Sequence, residues 1–252
     1  MKRLAAFMLS LVLVFSAASG LAAKKAKTTP TPAPLEIVSE PIDPPEQIQH
    51  LLEIVRNEWE TVNGKDQGKK NKYTKWFNNY NWGRNRWCGG FVTWCMIEAD
   101  IPMLTEKELK NACTEGSSPE PIFHVKGSSP AKMAPGYLYM NRTTNIPQKG
   151  FIVLYGVGSN KYNHVGFVYD VELLSNGKYR LTCIEGAMKN TVVTFVYDYD
   201  PLAEKKKNIS LVLKEERTEE ETKIFTYKEH VKNQKWFVNC FLMPWVPGDD
   251  NL

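Results

Sequence analysis

The stretch His164-Val165-Gly166-Phe167-Val168-Tyr169-Asp170-Val171 is a run of β-branched and aromatic residues of the kind that forms a strand. Side chains alternate along a strand, so Val165, Phe167 and Tyr169 share one face and His164, Gly166 and Val168 the other. Gly166 leaves room beside the imidazole. Working outward, Phe151–Tyr155, Tyr179–Glu185, Val192–Tyr197 and Trp236–Leu242 carry the same kind of pattern. On the Tyr179–Glu185 strand, Glu185 lies on one face with Cys183 and Leu181, directly before Gly186. A carboxylate among apolar positions needs a partner, and an imidazole N–H is a natural one. Towards the N-terminus the period changes. Ile48, Leu51, Leu52, Val55 and Trp59 recur at spacings of three and four, which predicts an amphipathic helix over 46–62 capped by the preceding prolines. A second helix runs from Cys88 to about Asp100 and ends before Pro102, and residues 105–148 read as loop-rich. Helices first and strands second predict an α+β fold in which N-terminal helices pack on an antiparallel sheet.

The chain has 252 residues, of which 42% are hydrophobic, 12% aromatic and 24% charged, the balance of a globular protein. Met1-Lys2-Arg3, the apolar run Leu4–Phe15 and the small residues Ser16–Ala23 read as a secretory signal peptide over 1–23. The run is short for a membrane span, no cysteine follows it to carry a lipid, and no stable membrane anchor is expected after its removal. Losing Lys2 and Arg3 takes the net charge from +4 to +2, which gives no support to nucleic-acid binding. Residues 24–45, with Lys24, Lys25, Lys27 and a Thr/Pro-rich run, read as an extended tether. The segment from Glu204 to Glu229 is a charged insertion, most simply a solvated face.

The chain has five cysteines, an odd number. Cys88 and Cys95 lie seven residues apart on one predicted helix, a rise of about 10 Å, beyond the roughly 7 Å limit of a bridged pair. Cys183 and Cys240 fall in apolar strand patterns, where a free buried thiol is common. Cys88 stands at the first turn of its helix, where negative charge is favoured. Gly89 and Gly90 follow it and let a backbone or a substrate come close. The stripe Cys88, Phe91, Val92, Cys95 and Ala99 faces whatever packs on the helix, and the sheet carrying His164 and Glu185 is the obvious partner. Glu185 orienting His164, which activates Cys88, is the arrangement of a thiol hydrolase. No Cys-any-any-Cys or His-Glu-any-any-His spacing is present, so no metal is expected. His50, His124 and His230 lack such a constellation and read as surface residues.

The run Trp87-Cys88-Gly89-Gly90-Phe91-Val92-Thr93-Trp94-Cys95 resembles the nucleophile helix of the CHAP family, the cysteine- and histidine-dependent amidohydrolases and peptidases. Tyr73-Thr74-Lys75-Trp76 and Trp82-Gly83 resemble the approach to that helix. Pro147–Val153, Asn163–Val168 and Ile184-Glu185-Gly186 follow in the family's order, so the resemblance spans about Tyr73 to Pro244. It implies a papain-like catalytic domain over 46–252, with Cys88 as nucleophile, His164 as general base and Glu185 as the third polar residue. It further implies an enzyme, secreted on the reading of residues 1–23 as a signal peptide, that cuts amide bonds of peptidoglycan, at muramoyl-L-alanine or within the peptide stem or cross-bridge, and that needs no cofactor. Two positions depart from the family: Gly150-Phe151 stands in place of Gly-Asp, and Ala187 in place of an Asn two residues after the Glu. Trp82 and Trp87 are the candidates to present rings to substrate, and no oxyanion side chain is assigned among Asn78, Asn79, Tyr80 and Asn85. Two alternatives remain open: a non-catalytic wall-binding module of the same fold, and an amidase of the same mechanism acting on another peptide. No feature sets the oligomeric state.

Overall fold

The computed structural model describes residues 39–62, 65–68, 70–75, 87–210, 212, 225–226 and 236–248. The signal peptide expected over 1–23 lies outside them. So does Trp82, with Asn78, Asn79, Tyr80, Asn85 and His230.

Helix α1, Glu46–Val62, buries Ile48, Leu51, Leu52, Val55 and Val62, the stripe its period predicts. A short α2, Lys72–Lys75, precedes α3, Cys88–Glu98. Helix α3 is buried on nearly every side rather than along one stripe, since Gly89, Gly90, Phe91, Val92, Thr93, Cys95 and Met96 are all inaccessible. It ends as the chain turns through a left-handed Asp100 (φ 52). Glu58 of α1 is buried and accepts hydrogen bonds from Lys72 Nζ at 2.6 Å and the Tyr73 hydroxyl at 2.7 Å. The Tyr73 ring then stacks on Trp87 with centroids 4.7 Å apart. These contacts fix the approach to α3 against α1.

The segment expected to be loop is partly helical. After the two-residue strand β1 (Met103–Leu104), α4 spans Glu106–Thr114; strand β2 (His124–Val125) and α5 (Pro130–Tyr139) follow. Helix α4 starts on a capping box in which Thr105 and Glu108 satisfy each other's backbone N–H groups. It buries only Leu109, so it shows no apolar period. In α5, Pro130 occupies the favoured first turn, while Pro135 sits inside the helix and disguises it in the sequence.

Strands β3 (Thr143–Thr144), β4 (Ile152–Val157), β5 (Asn160–Leu173), β6 (Tyr179–Met188), β7 (Thr191–Tyr199), β8 (Ile209–Ser210), β9 (Phe225–Thr226) and β10 (Trp236–Leu242) complete the chain. They form one sheet in the order β3-β10-β4-β5-β6-β7-β8, antiparallel along that path, with β9 added parallel to β7. The fold is α+β with helices packed on an antiparallel sheet, as predicted. The sheet is curled. Tyr155 on β4 and Tyr197 on β7 are three strand spacings apart, about 14 Å in a flat sheet, yet their hydroxyls meet at 2.9 Å. Tyr199 on β7 likewise packs edge-on against Phe241 on β10, at 5.3 Å between centroids.

Two expectations are corrected by the structure. Part of the charged segment 204–229 joins the sheet as β8 and β9, and its Asn208 is buried. At a bulge in β10, Asn208 donates to the Val238 carbonyl (2.8 Å) and accepts from the Val238 N–H (3.1 Å), standing in for a missing strand. Lys205–Lys207 forms a 3-10 turn with no buried residue, the solvated part of the insertion. The second correction concerns the linker, most of which lies outside the described residues. Its last seven residues are not a free tether. Ser39 exchanges two hydrogen bonds with the Tyr179 hydroxyl (3.0 and 2.8 Å), and the Ile42 N–H donates to Gln148 Oε1 at 2.9 Å.

Replacing Asn208 by Ala leaves both polar groups of Val238 buried without these partners. A loss of about 1–3 kcal/mol is expected, read as a lower urea midpoint at unchanged slope.

Candidate active site

Cys88, His164 and Glu185 come from three elements, and the fold brings them together. Cys88 opens α3, whose preceding Trp87 gives no side-chain cap, so the first amides of the helix keep their partial positive charge. The other side of Gly89 is closed by backbone: a Cβ there would lie 2.6 Å from Ser128 C and Ser129 N. The expected close approach at this glycine is therefore made by the loop before α5, not by a substrate.

His164 stands directly opposite Tyr155 in the β4–β5 register. Its Nε2–H donates to Glu185 Oε2 on β6 at 2.7 Å. Glu185 is wholly inaccessible and His164 nearly so. The path of the carboxylate depends on Gly166, because a Cβ at that position would sit 2.3 Å from Glu185 Cγ. The room that Gly166 was expected to leave beside the imidazole is occupied by the Glu185 side chain.

Cys88 hydrogen-bonds the same imidazole; with Nε2 committed to Glu185, Nδ1 is the nitrogen left for the thiol. Burial alone would push the Cys88 thiol up. The charge of His164, its hydrogen bond, and the backbone N–H groups of Val165 and Gly89 outweigh burial and hold the thiol below its ordinary value. His164 moves the other way: burial lowers it, but the charges of Cys88 and Glu185 and their hydrogen bonds raise it. Both shifts favour a thiolate–imidazolium pair backed by a carboxylate. Burial drives the remaining shifted thiols upwards, Cys95 well above the usual range, Cys183 to about 12 and Cys240 to about 11. All five cysteines are free.

Aromatic rings enclose the imidazole. Tyr155 stacks on His164 at 5.9 Å and 27°, and Trp236 packs edge-on at 5.4 Å. Neither was legible as part of a site, because each sits in an ordinary strand pattern on a different strand.

Two expected roles change. Trp87 is 2% exposed and stacked on Tyr73, so it is a core residue rather than a ring offered to substrate. His124 is not on the surface. It is wholly buried, with its ring nitrogens at 3.2 Å from the Thr93 hydroxyl and 3.0 Å from the Tyr137 hydroxyl, and burial holds it at about 3, hence neutral. It ties α3 to α5. His50 is exposed on α1. Among the described residues, no group of three or more His, Cys, Asp and Glu side chains is arranged to hold a metal ion.

The family model of the CHAP domain matches residues 76–187. This segment belongs to the CHAP family. The match runs from the approach to α3 through β6, and so contains Cys88, His164 and Glu185, while α1, β7 and β10 lie beyond it. CHAP domains are those of cysteine- and histidine-dependent amidohydrolases and peptidases. No match was found among curated proteins or among solved structures.

If Gly166 routes the carboxylate, Gly166→Val must push Glu185 off His164 while keeping a residue that suits a strand. On the acid limb of its pH profile, iodoacetamide modification of Cys88, located by mass spectrometry, is expected to slow about tenfold, the effect of one pKa unit. An unchanged rate with an intact circular-dichroism spectrum would show that the glycine is not needed there.

Proposed function

We propose that the protein is an exported peptidoglycan hydrolase that cleaves amide bonds through a Cys88–His164–Glu185 triad. The observation that carries this reading is the buried Nε2–Oε2 bond of 2.7 Å between His164 and Glu185, on an imidazole that also meets the Cys88 thiol. The CHAP match supplies the reaction class, and the apolar run after Lys2 and Arg3 supports export.

In this reading the Cys88 thiolate attacks the amide carbonyl carbon and forms a C–S bond. The oxygen takes up negative charge beside the Cys88 N–H, one of the helix amides without an intrahelical acceptor. His164 delivers its Nδ1 proton to the nitrogen as the C–N bond breaks, and the amine leaves. A water then gives a proton to His164 and attacks the thioester, releasing the acid and restoring the thiolate. Glu185 keeps the imidazole oriented and favours its charged form. No step requires a cofactor. Activity should rise with pH as Cys88 ionises, below the ordinary thiol range, and fall as His164 loses its proton, above the ordinary imidazole range.

The test is incubation of the chain and its Cys88→Ala variant with purified peptidoglycan, with new termini identified by mass spectrometry. Cys88-dependent free amines at L-alanine would mean amidase action, and cuts within the stem or bridge endopeptidase action. Glu185→Ala should retain more activity than Cys88→Ala, losing roughly 100-fold as a misplaced acid–base does. No Cys88-dependent product from several wall chemistries would instead favour a wall-binding module or another amide substrate.

A further inference from the structure

Glu185 poses a problem that His164 solves only in part. Its carboxylate has no exposure, and a buried charge is costly unless several donors reach it. Oε2 accepts from His164, but Oε1 is buried with no hydrogen-bond partner at standard geometry among the described residues. The groups packed around the pair come from five elements: Cys88 on α3, Tyr155 on β4, Cys183 beside Glu185 on β6, Tyr197 on β7 and Trp236 on β10. None of the four besides Cys88 belongs to the triad.

Tyr155 is placed to complete the site. It is the cross-strand neighbour of His164, its ring lies against the imidazole, and Trp236 packs on both rings at 5.4 Å. Its hydroxyl meets that of Tyr197 at 2.9 Å, and Tyr197 in turn meets Cys183 Sγ at 3.5 Å. Burial first, then the neighbouring Cys183, Glu185 and Tyr197, push the Tyr155 phenol well above its ordinary value, so it holds its proton wherever the enzyme works.

We propose that Tyr155 is a positioning residue whose hydroxyl donates to Glu185 Oε1 and thereby holds the carboxylate charged and aimed at His164. Every donor then has one acceptor. The Cys183 S–H donates to the Tyr197 oxygen, the Tyr197 O–H to the Tyr155 oxygen, the Tyr155 O–H to Glu185 Oε1, and the His164 Nε2–H to Glu185 Oε2. No proton changes place. The chain fixes the base from behind, through the closed side of the sheet, while Cys88 meets its other nitrogen. The proposal rests on the reading of Cys88, His164 and Glu185 as the reacting triad, and its test does not require the substrate to be known.

Tyr155→Phe keeps the ring that stacks on His164 and removes only the hydroxyl. In the full chain, iodoacetamide modification of Cys88 is followed by mass spectrometry between about pH 4 and 10, alongside peptidoglycan turnover. With the donor gone, Glu185 supports the imidazolium less and the thiolate loses its counter-charge. The acid limb of Cys88 modification should move up by about one unit, a tenfold slower reaction at any pH on that limb. Turnover should show lower kcat at unchanged KM. Tyr197→Phe should shift the limb in the same direction by less, and it provides the test should Tyr155→Phe not fold. Wild-type profiles in both folded variants would overturn the proposal and leave the triad standing. An ordinary thiol profile for Cys88 in the wild type would overturn both. A shifted profile in a protein that releases no peptidoglycan product would support Tyr155 and remove only the substrate assignment.

Discussion

A carboxylate held inside a curled sheet, with its nearest donor an imidazole 2.7 Å away, sets the terms for the rest of the molecule. Glu185 has no contact with water, so its charge is supported only by what the fold brings to it. That requires β4, β5, β6 and β7 to bend until side chains several strands apart touch, as Tyr155 and Tyr197 do. It also requires a residue without a side chain at position 166, because the carboxylate passes where a Cβ would be. The closing of the sheet at Asn208 and Val238 belongs to the same requirement, since an open sheet would let water reach its interior.

The thiol is supported from the other side. Helix α3 begins at Cys88 and is buried almost completely, held by α1 through Glu58 and Tyr73 and by α5 through Thr93, His124 and Tyr137. This packing leaves the Cys88 thiol at a fixed point where the helix end, the imidazole and two backbone N–H groups act on one sulfur. Low local dielectric strengthens each of these interactions, and that is why burial does not push the Cys88 thiol up as it does Cys95 and Cys183. The difference between these cysteines is the company each keeps, not its degree of burial.

The strand periods around His164 and the helical period of Ile48–Val55 carried the fold, because each element buries one face and the burial is written into the spacing. The meeting of Glu185 with His164 was legible for the same reason: Glu185 is a charge on an apolar face, and such a charge points to a partner. Residues 105–148 were harder, since α4 buries a single leucine and α5 contains Pro135, so neither shows an apolar period. Its Thr105–Glu108 capping box was the available signal. Asn208 and residues 39–45 read as polar or Pro-rich sequence, and only the sheet's unpaired backbone and the Gln148 and Tyr179 side chains give them a place. Trp87 and His124 show the limit of reading residue type: an indole beside Cys88 in sequence and an imidazole in a loop-rich stretch prove to be core groups once burial is known.

The charge state of His164 is the most direct measure of whether these groups act as one site. Nitrogen NMR of the ¹⁵N-histidine-labelled protein, with His164 assigned by its His164→Gln variant, reads both ring nitrogens across a pH titration. The account predicts that Nδ1 and Nε2 both remain protonated well above 6.5, the ordinary imidazole value, and that Cys88→Ala or Glu185→Gln brings the transition down. A His164 that is neutral at pH 7.5 in the wild type, and unmoved by either substitution, would contradict it.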